Sequence, residues 1–196
     1  MSDPYVLVLY YSSSGGTANL AKHVARGVRA AGMEARLRTV PAVHTTTERT
    51  QPPVPEEGAV YCTTEELGGC AALALGSATR FGNMASPLKR FFEGSAGLWM
   101  SGALEGKPAG VFCSSNSMHG GQESTLLTMM VPLLHHGMII SGLPYSESAL
   151  HGQLSAGAPY GATHVATPDS NGLTADENDA CRALGKRVAT LALKLT

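Results

Sequence analysis

The opening of the chain restricts its fold more than any other stretch. Tyr5-Val6-Leu7-Val8-Leu9-Tyr10-Tyr11 is an unbroken apolar and aromatic run, the pattern of a strand buried on both faces. It stops abruptly at Ser12-Ser13-Ser14-Gly15-Gly16-Thr17. Leu20, Val24 and Val28 then recur at helical spacing with Ala21 and Ala25 beside them, while Lys22, Arg26 and Arg29 fall elsewhere. This predicts an amphipathic helix stopped by Gly32. Buried strand, polar glycine turn and helix together open a βα unit, and such units build parallel sheets.

The alternation repeats. Ala35 to Val40 reads as a second strand, and Thr63 begins a Thr-x-x-Glu capping box into a short helix that Gly68-Gly69 ends. Cys70 to Leu75 is a third strand, followed by a loop from Ser77 to Asn83 and a helix with Ser86 as cap and Pro87 in first position. Ala109 to Cys113 is a fourth strand and Ser114 to Gly121 a loop. Gln122 to His136 is a helix that Pro132 should kink. Met138 to Leu143 is the fifth strand and Thr174 to Leu195 the closing helix. Five strands alternating with five helices predict an α/β domain with a parallel sheet covered on both sides. Pro41 to Cys62, Gly94 to Gly106 and Pro144 to Pro168 are left as long loops, which are usually functional or tied down by a neighbour. The length of 196 residues fits one domain, 1–196.

Charge excludes several classes of function. The formal net charge is −1 and charged residues are only 15% of the chain, so no basic excess marks a nucleic-acid binder. Between Pro108 and Pro168 the only formal charges are Glu123 and Glu147. Ser124 to Ser146 is uncharged and nominally long enough to span a bilayer, but Pro132, His135, His136, Gly137 and Gly142 interrupt it. An integral membrane protein is therefore not expected, and no basic segment followed by an apolar run suggests export. Cys62, Cys70, Cys113 and Cys181 form no C-x-x-C pair, which fits buried thiols in a reducing, cytoplasmic compartment. Adjacent histidines on a helix, such as His135 and His136, point about 100° apart, and with no third ligand evident no metal site is expected.

Ligands of open parallel sheets bind at the carboxyl ends of the strands. The loops there are Ser12 to Thr17, Ser77 to Asn83 and Ser114 to Gly121, each rich in hydroxyls and glycine. The first precedes a helix N-terminus, where hydroxyls, free amides and the helix dipole favour an anion. It matches neither G-x-x-x-x-G-K-[ST] nor G-x-G-x-x-G. No Lys or Arg occurs before Lys22, so the loop has no cation of its own. Several hydrogen bonds to a charged group, about 1.5–3 kcal/mol each, suit such a loop to a monophosphate. No Ser-His-Asp set or G-x-S-x-G elbow is evident.

Tyr10-Tyr11-Ser12, Thr79-Arg80-Phe81-Gly82-Asn83-Met84, Gly97-Leu98-Trp99-x-Ser101-Gly102, His119-Gly120-Gly121-Gln122-Glu123, His135-His136-Gly137-Met138 and Pro159-Tyr160-Gly161-Ala162 form one set. This set resembles the flavodoxin-like NAD(P)H:quinone oxidoreductases of the tryptophan-repressor-binding-protein (WrbA) family, from about Tyr5 to Leu195. The resemblance implies a flavodoxin-like doubly wound five-stranded sheet of order 2-1-3-4-5 with added loop segments. It also implies FMN as cofactor, NADH or NADPH as co-substrate, and a homotetramer built as a dimer of dimers. By position, Ser12, Ser13, Ser14, Gly15, Gly16 and Thr17 would cradle the FMN phosphate. Thr79, Arg80 and Phe81, with Gly82 and Asn83, would contact the ring, and Arg80 would stand near its N1–C2 edge. Ser114, Ser115, Asn116, Ser117, Met118 and His119 would line its other side, and His135 would reach its polar edge. Trp99 would wall the space where nicotinamide or quinone stacks. Ser14 stands where family members often carry an aromatic residue beside the nicotinamide site.

The implied activity is a two-step exchange in which NAD(P)H gives a hydride to FMN N5 and leaves before a quinone takes two electrons. The cofactor carries that chemistry, so no catalytic side chain is expected. A rival is an electron carrier of the flavodoxin type without its own small substrate; another is a DNA-associated regulator, which the charge balance disfavours.

Overall fold

The computed structural model describes residues 3–43, 54–151, 157–166 and 172–195. In chain order the elements are β1 (Tyr5–Tyr11), α1 (Gly16–Ala30), β2 (Glu34–Thr39), α2 (Thr64–Gly69), β3 (Ala72–Ala78), α3 (Ser86–Glu93), α4 (Ala96–Met100), β4 (Pro108–Ser115), α5 (Gln122–His135), β5 (Ile139–Ile140), a 3₁₀ turn (Ser148–His151), β6 (Gly157–Ala158), β7 (Gly161–Val165) and α6 (Ala175–Leu195). β1 lies between β2 and β3, and β3 pairs with β4, all parallel.

The side chains of β1 alternate between two cores. Val6, Val8 and Tyr10 pack on the layer of α1 and α6, with Leu20, Val24, Leu184 and Val188. Tyr5, Leu7 and Leu9 pack on the other layer, with Leu88 and Phe92 of α3 and Leu126, Met129 and Leu133 of α5. A continuous apolar run is what a strand with two buried faces needs. At both α1 and α6, glycine permits close approach: a Cβ on Gly27 would stand 2.0 Å from the Arg182 carbonyl oxygen, and one on Gly185 2.0 Å from that of Val24.

The fifth sheet position differs from the strand expected over Met138 to Leu143. β5 pairs only Pro108 and Ala109 of β4, and from Val111 onward the partner is β7. The chain leaves the sheet at Gly142, where a Cβ would lie 1.9 Å from the Pro159 carbonyl oxygen. Leu143 N–H donates to that same oxygen at 2.9 Å. The returning segment thus takes over the edge of β4, and the order runs β2-β1-β3-β4-β7-β6 with β5 beside β4. Strands β6 and β7 fall in the segment Pro144 to Pro168, expected as loop, and α4 falls in the expected loop Gly94 to Gly106.

Smaller differences have local causes. α3 begins one residue early, with Ala85 as cap and Pro87 in the first turn, because the Ser77 hydroxyl already holds Ala85 N–H at 2.9 Å. Thr174 caps α6 through a reciprocal pair with Glu177 instead of lying inside the helix. α5 continues through Pro132 as one element. The capping box at Thr63 and Glu66 is present. The Pro52-Pro53 part of the loop from Pro41 lies outside the described residues. Among the described residues no helix is long and apolar enough to cross a membrane.

Candidate functional site

Three loops leave the carboxyl ends of β1, β3 and β4 and are tied to one another. Arg80, in the loop after β3, donates from Nη2 to Ser13 Oγ at 2.8 Å and from Nη1 to the Thr79 carbonyl at 2.9 Å. Thr79 N–H donates to the Ser114 carbonyl at 2.7 Å, joining the ends of β3 and β4. Thr17 and Ser114 share a hydrogen bond between hydroxyls at 2.7 Å. Gly82 and Gly121 meet backbone to backbone, since a Cβ on Gly121 would lie 3.0 Å from Gly82 Cα. The predicted residues 12–17, 79–83 and 114–119 therefore stand around one place.

The first loop has the makings of an anion cradle. Ser12 Oγ accepts from Gly15 N–H at 3.1 Å, closing a turn. Gly15 has φ +91°, and a Cβ there would meet open space, so glycine serves the backbone conformation and not a close contact. No side chain caps α1, and no acidic residue lies in its first turn. Its N-terminal amides and dipole are therefore left for a ligand. Gly16, Thr17 and Ser114 form a buried floor, while Ser13, Ser14 and Arg80 are an exposed rim. Arg80 brings the cation that the loop's own sequence lacks.

Beside the cradle, Phe81 is fully exposed and has φ +50°; His119 has φ +52°. Non-glycine residues held in this left-handed region store strain, and strain of this kind concentrates at ligand sites. A turn holds Phe81 in place: Arg80 N–H donates to Asn83 O at 2.8 Å, and Asn83 N–H to Arg80 O at 3.0 Å. Thr79 Oγ1 is buried against the Cys113 thiol. Burial pushes that thiol up to about 12, so Cys113 stays neutral. In the third loop, Ser115 Oγ donates to the Ser117 carbonyl at 2.8 Å, while residues 116–119 are exposed. Met118 and His119 line a cavity of about 550 Å³ with Thr163 and Val165.

Trp99 and His135 are brought together, but away from the cradle. Both line a cavity of about 580 Å³ between α3, α4 and α5, with Phe92, Val131 and His136. α5 starts at the third loop and His135 is its last residue, so at 1.5 Å per residue about 20 Å of helix separates them. Asn83 and Met84 form the other end of this cavity. His136 accordingly titrates low, because burial and the neighbouring His135 both disfavour its charge.

Sequence reasoning missed a third cavity of about 690 Å³ flanking the cradle, lined by Tyr11, Arg80, Lys89 and Arg90 among others. The signal was the adjacent pair Lys89-Arg90 in the helix that follows the second loop. Among the described residues no cluster of three or more His, Cys, Asp or Glu side chains could hold a metal ion.

The sequence pattern of the NADPH-dependent FMN reductase family matches residues 4–149. The chain is 44% identical over 195 residues to an NAD(P)H dehydrogenase (quinone) of Gluconacetobacter diazotrophicus, covering 97% of this chain and 98% of the relative. It is 40% identical over 204 residues to one of Solidesulfovibrio magneticus, with the same coverage. Among solved structures, a WrbA-like flavodoxin from Agrobacterium tumefaciens superposes with a TM-score of 0.67 at 23% identity, over 100% of both chains. An archaeal flavodoxin superposes with a TM-score of 0.63 at 18% identity, over 96% of this chain and 99% of the other. These two likenesses support the flavodoxin-like fold.

Proposed function

The chain belongs to the NADPH-dependent FMN reductase family, and we propose that, like the relatives named NAD(P)H dehydrogenase (quinone), it is an FMN-dependent NAD(P)H:quinone oxidoreductase whose two substrates use one space in turn, the nicotinamide leaving before the quinone enters. The observation that carries this reading is the joining of three loops at one sheet edge, with Arg80 bonded to Ser13. FMN, when bound, supplies the hydride and electron transfer. The chain's own residues bind and orient.

Ser12 to Thr17 hold the phosphate, using hydroxyls and the uncapped amides of α1; Arg80, expected from the resemblance near the ring's N1–C2 edge, is bonded to Ser13 of this loop and so also supplies the counter-charge. A monophosphate needs no more: charge-assisted bonds of this kind are short and about twice as strong as neutral ones. The exposed Phe81 ring offers an apolar surface to the flavin. Ser114 to His119 close the other side. Ser14, on the exposed rim, and Trp99 face the substrates.

Trp99 and His135 serve the cradle of a neighbouring copy in a homotetramer, not their own. Supporting this are the helix length between His135 and the third loop and the exposed apolar residues Leu127, Val131 and Leu134 along α5. The cytoplasm suits a chain whose four cysteines are all buried and unbridged.

Purified protein reconstituted with FMN should show the yellow flavin bands and lose them on anaerobic addition of NADH or NADPH. Steady-state rates with a quinone should then give parallel double-reciprocal lines. A chain that takes up FMN but is not reduced would be an electron carrier, and intersecting lines would end the shared-space reading.

A further inference from the structure

Behind the cradle lies a buried pair that the motifs above leave out. His164 of β7 stands in register with Ser114 of β4, and its Nδ1 is 3.0 Å from Oε1 of Glu177 in the first turn of α6. His164 is 4% exposed and Glu177 1%. The other carboxylate oxygen accepts Thr174 N–H at 2.8 Å, and Glu177 N–H donates to Thr174 Oγ1 at 3.2 Å. The start of α6 thus fixes the carboxylate through Thr174 N–H, and the carboxylate fixes the imidazole.

The imidazole in turn meets the cradle floor. A Cβ on Gly16 would lie 3.5 Å from His164 Cδ2 and 3.3 Å from Ser114 Oγ, and Ser114 Oγ bonds Thr17 Oγ1. The first turn of α1 therefore rests on the ring edge and on Ser114. Stability alone gives little reason for such a pair, because replacing both partners of a buried hydrogen bond by apolar groups of the same shape can be nearly neutral or stabilising. A hydrogen-bonded ring differs from an apolar prop in having one fixed orientation.

We propose that His164 is a positioning residue for the phosphate of FMN: Glu177 fixes its ring, and the ring edge with Ser114 holds Gly16 and Thr17 so that the first-turn amides of α1 face the anion. The inference rests on the FMN reading above. Riboflavin, which lacks the phosphate, isolates the effect, because a phosphate-positioning residue should matter to FMN and not to riboflavin.

The test is flavin binding to the full apo chain, followed by quenching of flavin fluorescence, together with thermal unfolding of the same proteins. His164→Ala should weaken FMN by about ten-fold or more, by analogy with metal sites, where loss of an outer partner that orients a ligating group costs about ten-fold or more. Riboflavin affinity should change less than about two-fold. His164→Asn can still donate to Glu177 but lacks the ring edge, so it should melt close to the wild type and still bind FMN weakly. This variant keeps the test open if His164→Ala fails to fold. The proposal is overturned if His164→Asn binds FMN as the wild type does, or if FMN and riboflavin weaken equally. A wild-type chain that takes up neither flavin would overturn the FMN reading and the inference with it, whereas losses confined to variants leave that reading intact.

Discussion

On one face of the sheet α1 and α6 meet backbone to backbone; on the other, α3, α4 and α5 leave a cavity of about 580 Å³ and a row of exposed apolar side chains. The first face is closed by small residues. Gly27 faces the Arg182 carbonyl and Gly185 that of Val24, each at a distance that excludes any Cβ. The second face carries Leu127, Val131, Leu134 and Trp99, each 45–58% exposed. A helix that is apolar all round is normally buried. The contrast assigns different work to the faces: the closed one supports the cradle from behind, through Ser114 and His164, and the open one is where further copies and substrates are expected.

The largest effect should come from breaking the closed face. Gly185→Val places a side chain 2.0 Å from a backbone oxygen, and no flexible neighbour can yield. The helices must separate, at a cost of about 3 kcal/mol or more. Urea unfolding with an unchanged m-value would measure it. A loss below about 1 kcal/mol would mean that α1 and α6 slide freely, and the contrast between the faces would fail.

The open face should answer differently. Leu134 is 58% exposed, so Leu134→Asp should alter the stability of the isolated chain by only about 0.5 kcal/mol. Its effect should fall on assembly, read as a shift to smaller species in sedimentation velocity. Together with Gly185→Val it separates folding from association. An unchanged sedimentation coefficient would show that this row is not the contact between copies.

How much of this was legible in the sequence follows the same division. The closed face was read well because periodicity reports it: the β1 run and the Leu20, Val24, Val28 spacing identify elements whose partners lie within the chain. The three loops were legible through their hydroxyls and glycines at strand ends. Their bonds to one another were not, since the Arg80 link to Ser13 joins residues far apart in sequence. The split fifth strand was missed because Met138 to Leu143 is mostly apolar and nothing local marks Gly142 as the point where Pro159 crosses. His164 was passed over because one histidine in a short apolar strand carries no pattern, and its meaning depends on Glu177 and Gly16, which the fold alone assembles. Trp99 and His135 were named as one set with the cradle on the resemblance alone, although the helix expected over Gln122 to His136 already carried the length that separates His135 from the third loop.

The smallest expected effect is an acid sensitivity of the open face. Ser95 Oγ donates to the Phe92 carbonyl at 2.7 Å and so accepts from His136 Nε2–H at 3.0 Å. This leaves Nδ1 as the lone-pair nitrogen, buried and without a partner, in a wall of the cavity. Burial, and then the charge of His135, hold the His136 pKa below its ordinary 6.5. The unfolded chain therefore takes up a proton at a higher pH than the folded one. The stability contributed by neutral His136 is complete above about 6.5 and declines as pH falls toward the depressed folded value. Solvent reaches part of the ring, so the loss should stay below about 1 kcal/mol. His136→Gln can keep the donor to Ser95 while removing the titration. Urea midpoints between pH 7.5 and 5.5 should then fall less steeply in the variant than in the wild type. Equal slopes would place the acid sensitivity elsewhere.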